Sequence, residues 1–234
     1  MASTTAELTV SYASLLTDGG HEARRVLRRE GVVFVSGVLN ARECEKTESG
    51  LGQFARESSS HRGGIVCADG AAHLQPMWEL RMHEGVQRTF ASVLKCGVDE
   101  LVCSLDRFNW NNGRASGASS ASYRSPRGWD DLDLHLDLNP FSLDGQSDEE
   151  FIQGVITLSA GGGGWSGGTT VVPRSQLLFH ELDRSCFSSM RGDFCVLNQK
   201  GIDFRQGARP ASHPPGGPSR LHRNLAFAAG ALRA

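Results

Sequence analysis

At 234 residues, with 39% apolar residues and 28 glycines spread among periodic segments, the chain has the size and content of one loop-rich globular domain. Its 24 Lys and Arg against 26 Asp and Glu leave a formal charge of -2 with no long block of either sign, which argues against a nucleic-acid partner. No apolar run approaches bilayer length and the first residues carry neither a basic cluster nor an apolar signal core, so the expectation is a cytoplasmic chain with no membrane partner, an organelle being compatible.

The cysteines, at 44, 67, 96, 103, 186 and 195, include no Cys-x-x-Cys pair and read as small core residues with free thiols in a reducing compartment. Residues 1–18 lack a strong period and read as a loose lead-in to a single domain over 19–234. His21 to Glu30 then has Ala23, Val26 and Leu27 on one helical face, with Gly31 placed to end the helix. Val32 to Val38 reads as a strand. Asn40 caps a second helix, with Glu43 spaced to reach back to it and Cys44, Leu51, Phe54 and Ala55 following at helical spacing. A third helix starts near Pro76, is lined by Met77, Leu80, Phe90, Val93 and Leu94, and stops before Gly97.

From residue 101 the period changes to two. Strands are expected at Leu101 to Phe108, Leu132 to Leu138, Phe151 to Ser159, Thr169 to Val172 and Asp193 to Leu197, and Asn224 to Ala228 is also strand-like. Helices followed by many short strands predict an α+β domain built on a β-sandwich or jelly roll. Residues 111–125, rich in Gly, Ser and Ala, read as a loop before the most informative strand, with a flap and a plain surface loop as its two readings. Gly161 to Gly164 lack the Lys-Ser or Lys-Thr of a phosphate loop. Asp106-Arg107 reads as a structural ion pair, and His61, His73, His83 and His180 stand without partners at ligand spacing.

Asp131 to Asn139 alternates without a break, so as a strand it turns its four leucines to one side and Asp131, Asp133, His135, Asp137 and Asn139 to the other. His at i and Asp at i+2 offer a nitrogen and an oxygen donor on one face, two of the three ligands of a two-histidine, one-carboxylate facial triad. Pro140 ends the ladder just beyond them.

The flanks of this strand carry a resemblance. Gly31-Val32-Val33-Phe34-Val35 with the Asn40-capped helix, Trp129 ahead of His135-Leu136-Asp137-Leu138-Asn139-Pro140, and Gln153 to Leu158 stand in the order found in the phytanoyl-CoA dioxygenase family. So do Ser166 to Gln176, similar to a Gly-Gly turn, strand and Pro-Gly-Ser-His signature, and the Gly192-Asp193 strand. Over roughly residues 24–225 the chain thus resembles these Fe(II)- and 2-oxoglutarate-dependent oxygenases. The resemblance implies a double-stranded β-helix (jelly-roll, cupin-like) core with N-terminal flanking helices. It also implies Fe(II), 2-oxoglutarate and O2 as cofactor and co-substrates, His135 and Asp137 as catalytic metal ligands, and hydroxylation of a small organic or acyl substrate.

The chain departs from the family at the distal histidine, where Asp203 stands; His213 and His222 lie farther on. The third ligand is Asp203, His213 or none. A set of one imidazole and two carboxylates is harder and more anionic, and shifts preference from Fe toward Mg, Ca or Mn. The family's arginine for the far carboxylate of 2-oxoglutarate corresponds by position to Arg220 or Arg223, a planar fork suited to two parallel hydrogen bonds. An inactive or altered-metal β-sandwich acting as a binding protein is the alternative to an active dioxygenase.

Overall fold

The short strands and capped helices take the following places. The computed structural model describes residues 6–58, 61–62, 65–66, 68–110, 135–136, 152–158, 170–171, 173–177, 184–191, 194–197, 209–210 and 224–229. In chain order the elements are β1 (Thr9–Ser11), α1 (Tyr12–Thr17), α2 (His21–Glu30), β2 (Val32–Ser36), α3 (Ala41–Glu57), β3 (His61–Arg62) and β4 (Ile65–Val66). Then come α4 (Gln75–Met82), α5 (Glu84–Leu94), β5 (Phe108–Asn109), β6 (His135–Leu136), β7 (Ile152–Ile156), β8 (Thr170–Val171), β9 (Phe187–Arg191), β10 (Phe194–Leu197), β11 (Arg209–Pro210) and β12 (Asn224–Ala229). Within the described residues no helix is long and apolar enough to cross a membrane.

The main sheet has the order β1-β2-β12-β7, with β1 parallel to β2 and the other two pairings antiparallel. Four successive β2 residues, Val32, Val33, Phe34 and Val35, are buried, as a strand must be when both its edges and both its faces are covered. The helix before it explains one cover. Ala23, Val26 and Leu27 of α2 are buried at i, i+3, i+4 spacing, the arginines are turned outward, and the helix lies on β2 and β12. Gly31 ends it at φ 74, a left-handed position that glycine holds without a Cβ penalty, and donates its N–H to the Leu27 carbonyl at 2.7 Å. α5 closes over β7 so tightly that Phe90 occupies the space a Cβ on Gly154 would need.

α3 begins as its sequence predicts. The Asn40 side chain accepts from the Glu43 N–H at 3.0 Å while the Glu43 carboxylate accepts from the Asn40 N–H at 2.7 Å, a reciprocal capping box. The far end of α3 supports a smaller core in which Ala55, Val66 and Ala71 are buried beside Phe54, Phe108 and Trp110, under the sheet β3-β4-β5.

Three expectations change. The helix expected from Pro76 to before Gly97 is two helices broken at His83, whose backbone is extended at φ -66, ψ 123. The apolar period lapses over Arg81 to Gly85, and that lapse marks the break. The strand expected over Leu101 to Phe108 reduces to Phe108–Asn109, because β4 offers a two-residue edge; Val102 is 97% exposed. From residue 6 the stretch read as a lead-in joins the core: Leu8, Val10 and Leu15 are buried, and β1 aligns Thr9 with Phe34. The expected strands at Phe151 to Ser159, Thr169 to Val172, Asp193 to Leu197 and Asn224 to Ala228 are present within a residue or a few of their expected bounds. The loop at 111–125 and the glycines at 161–164 lie outside the described residues.

Candidate metal centre

β6 is held by β10 in antiparallel register, with Leu136 opposite Cys195 and His135 opposite Val196. β10 also pairs with β9, its register shifting between Val196 and Leu197. Leu136 packs with Phe187, Cys195, Cys186, Met190 and Leu197, whereas the adjacent His135 is exposed. The two described residues of this strand thus divide as alternation requires, leucine to an apolar cluster and imidazole away from it. That disposition suits a metal ligand, since the ring is on a paired strand and open to solvent.

His135 is the one member of the expected set inside the described residues; Asp137, Asp203, His213, Arg220, Arg223 and His222 lie outside them. Among the described residues no group of three His, Cys, Asp or Glu side chains converges to hold a metal ion. Arg223 directly precedes β12, whose first residue Asn224 is aligned with Ser36 at the end of β2.

A second polar constellation joins the turn after β8 to the end of α2. Arg174 adopts a left-handed backbone at φ 67 and donates its N–H to the Glu30 carbonyl at 2.6 Å. Gln176, buried, donates its side-chain amide to the carbonyls of Arg28 at 3.2 Å and Arg29 at 3.3 Å, which a helix C-terminus otherwise leaves open. The Glu30 carboxylate, 3% exposed, takes the Arg29 guanidinium at 2.6 Å on Oε1 and has Arg174 Nε at 3.7 Å from Oε2. Among the described residues, Glu30 Oε2 and Gln176 Oε1 are buried without a hydrogen-bond partner, which costs stability.

Sequence reasoning passed over Glu30 and Gln176. A signal existed for Glu30: it continues the buried phase of Ala23, Val26 and Leu27, and a carboxylate in apolar phase requires a partner. Gln176 had none, because its partners are about 150 positions away along the chain.

Elsewhere the isolated residues are structural. Arg107 lies 3.7 Å from Asp106 as an exposed pair. Arg81 donates to the carbonyls of Ala72 and Asp106 and stacks 5.3 Å above the Trp78 ring. His73 is beside the same ring, and His83 caps a helix. Among the described residues, Cys44, Cys96, Cys103, Cys186 and Cys195 form no disulfide with one another. Burial first, and then the carboxylates of Glu100 and Asp99, raise the Cys96 thiol above its ordinary pKa, the reverse of an activated nucleophile. No family model matches this chain, and no curated protein or solved structure matches it either.

Proposed function

We propose that this chain is an Fe(II)- and 2-oxoglutarate-dependent dioxygenase hydroxylating a small organic or acyl substrate, on a double-stranded β-helix core. The observation that carries the reading is β6, with His135 exposed and Leu136 packed in the motif His135-Leu136-Asp137. Two further features support it. The antiparallel pairs β7·β12, β8·β11 and β9·β10 are nested one inside the next along the chain, as in a long ribbon rolled on itself. The pairing of β6 with β10 crosses that nest and is the feature a simple ribbon does not account for. In addition, Arg174 holds a left-handed backbone at the position where the family signature has glycine.

In this reading His135, Asp137 and Asp203 hold the metal, and Arg223 or Arg220 meets the far carboxylate of 2-oxoglutarate. Ferrous iron with 2-oxoglutarate and O2, when bound, supplies the oxidation of a substrate C–H bond. The chain's own part is to offer donors on one strand face, fix the co-substrate's orientation through a guanidinium, and keep the strand rigid through the Leu136 cluster. A cytoplasmic location accords with cysteines that form no disulfide among the described residues.

Asp203, standing where the family has histidine, favours a second reading: a binding protein with altered metal preference. Anaerobic titration with Fe(II) and 2-oxoglutarate tests both. A visible charge-transfer band, with succinate formed on admitting O2 and both lost in His135→Ala, supports the dioxygenase. Mn(II) or Mg(II) binding without band or succinate supports the second reading. With no metal bound at all, both readings fall.

A further inference from the structure

His83 is the single residue between α4 and α5, and it serves both. Its backbone N–H donates to the Leu80 carbonyl at 3.2 Å, ending α4, while its Nδ1 accepts from the N–H groups of Gly85 at 3.1 Å and Val86 at 3.4 Å, starting α5. An imidazole nitrogen that accepts carries no hydrogen, so the ring in this geometry is neutral with its proton on Nε2. Nε2 lies 3.4 Å from Oε1 of Glu43, whose other oxygen accepts the Asn40 N–H in the α3 capping box. The ring is packed closely over Gly85: a Cβ there would meet His83 Cε1 and the Val38 carbonyl, each at 3.0 Å.

We propose that His83 is an acid-released helix cap: protonation at Nδ1 removes the acceptor from the first turn of α5 and exchanges that cap for an ion pair with Glu43, loosening the α4–α5 junction. The exchange follows from donor counting, because an imidazolium has two N–H donors and no acceptor. Its charge beside the positive end of α5 opposes the cap position, and Glu43 on α3 draws it the other way. Three other charged pairs or contacts lie on the elements around it. Glu84 pairs with Arg88 within α5 at 2.7 Å, Glu79 of α4 pairs with Lys46 of α3 at 2.7 Å, and Arg81 of α4 is held by two carbonyls. Glu43 is itself held below the usual carboxylate range, first by the Asn40 N–H and then by His83, which favours its charged form.

The test is amide exchange on the isotopically labelled full chain, with the His83 ring nitrogens followed by NMR from about pH 8 to about pH 5. The expected result is an Nε2–H tautomer at the upper end and a loss of protection at Gly85 and Val86 of about five-fold, the ratio one helix cap is worth, tracking the His83 titration. His83→Asn, which caps without titrating, abolishes that response. Glu43→Gln keeps the response but moves its midpoint to lower pH, because the carboxylate that favours the imidazolium is gone. An Nδ1–H tautomer at pH 8, unchanged protection through the titration, or a response that persists in His83→Asn overturns the proposal.

Discussion

The N-terminal helical layer and the sheet that bears His135 are built on different terms. Around β2 a broad cluster of buried residues from β1, α1, α2, α3 and α5 surrounds a strand whose Val33 and Val35 are fully buried. Around β6 the described apolar cluster is small, Phe187 and Cys195 being its buried members, with Leu136, Cys186, Met190 and Leu197 partly covered. Burial free energy grows with apolar area removed from water, so among the described residues the first cluster contributes more stability than the second. Locality also differs. Helix caps in the first region join residues three or four apart, whereas β6 is held by β10, about 60 positions along the chain.

The same substitution at the two clusters gives the largest test of this contrast. Phe34→Ala, at a residue 3% exposed in the main core, is expected to cost about 3–5 kcal/mol in urea denaturation. Phe187→Ala, 9% exposed in the small cluster, is expected to cost less, because a thinly covered site collapses more easily around the lost ring. Equal costs would show that the two clusters form one cooperative core and remove the contrast. A smaller effect is expected where the layers meet. Gly154→Ala puts a Cβ into the space of the Phe90 ring, and the shift it forces should cost about 1–3 kcal/mol, read as a lower urea midpoint at unchanged slope. Pairing Gly154→Ala with Phe90→Leu should recover most of that loss, because the clash is between those two positions.

The smallest effect concerns the capping box. Asn40→Ala should lower stability by about 1 kcal/mol. Its partner gives a pH dependence of definite sign. The Asn40 N–H, followed by the His83 contact, depresses the Glu43 carboxyl in the folded state. A depressed carboxylate contributes stability that is fully present above its ordinary unfolded value and is lost as pH falls through the lower folded value. The Glu43→Gln variant should therefore have a flatter urea midpoint across the acid range than the parent chain. The Glu43 side chain is 40% exposed, so the difference is modest and shrinks with added salt.

Much of the N-terminal region was legible before any coordinates. The His21–Glu30 helix, its Gly31 stop and the Asn40–Glu43 box are set by residues within one turn of one another, and local spacing suffices to read them. The break at His83 is hard to read from the sequence because the lapse over 81–85 is short and apolar residues in helical phase stand on both sides of it. Leu101 to Phe108 was misread for the complementary reason: a strand is a statement about two segments, and alternation reports only one. Of the candidate site, the alternation of His135 with Leu136 was legible, and the structure agrees for those two residues.

What the sequence by itself determined is local: the start and stop of α2, the capping box of α3, and a histidine and an aspartate two positions apart in a period-two segment. The tertiary structure decided which strands meet, aligning Leu136 with Cys195 and Asn224 with Ser36. It also decided that buried Glu30 and Gln176 meet at the end of α2, with the exposed Arg174 beside Glu30. Local structure follows from backbone geometry and side-chain phase over a few residues, whereas partners distant along the chain are chosen by the burial and hydrogen bonding of the whole fold, which no short window contains.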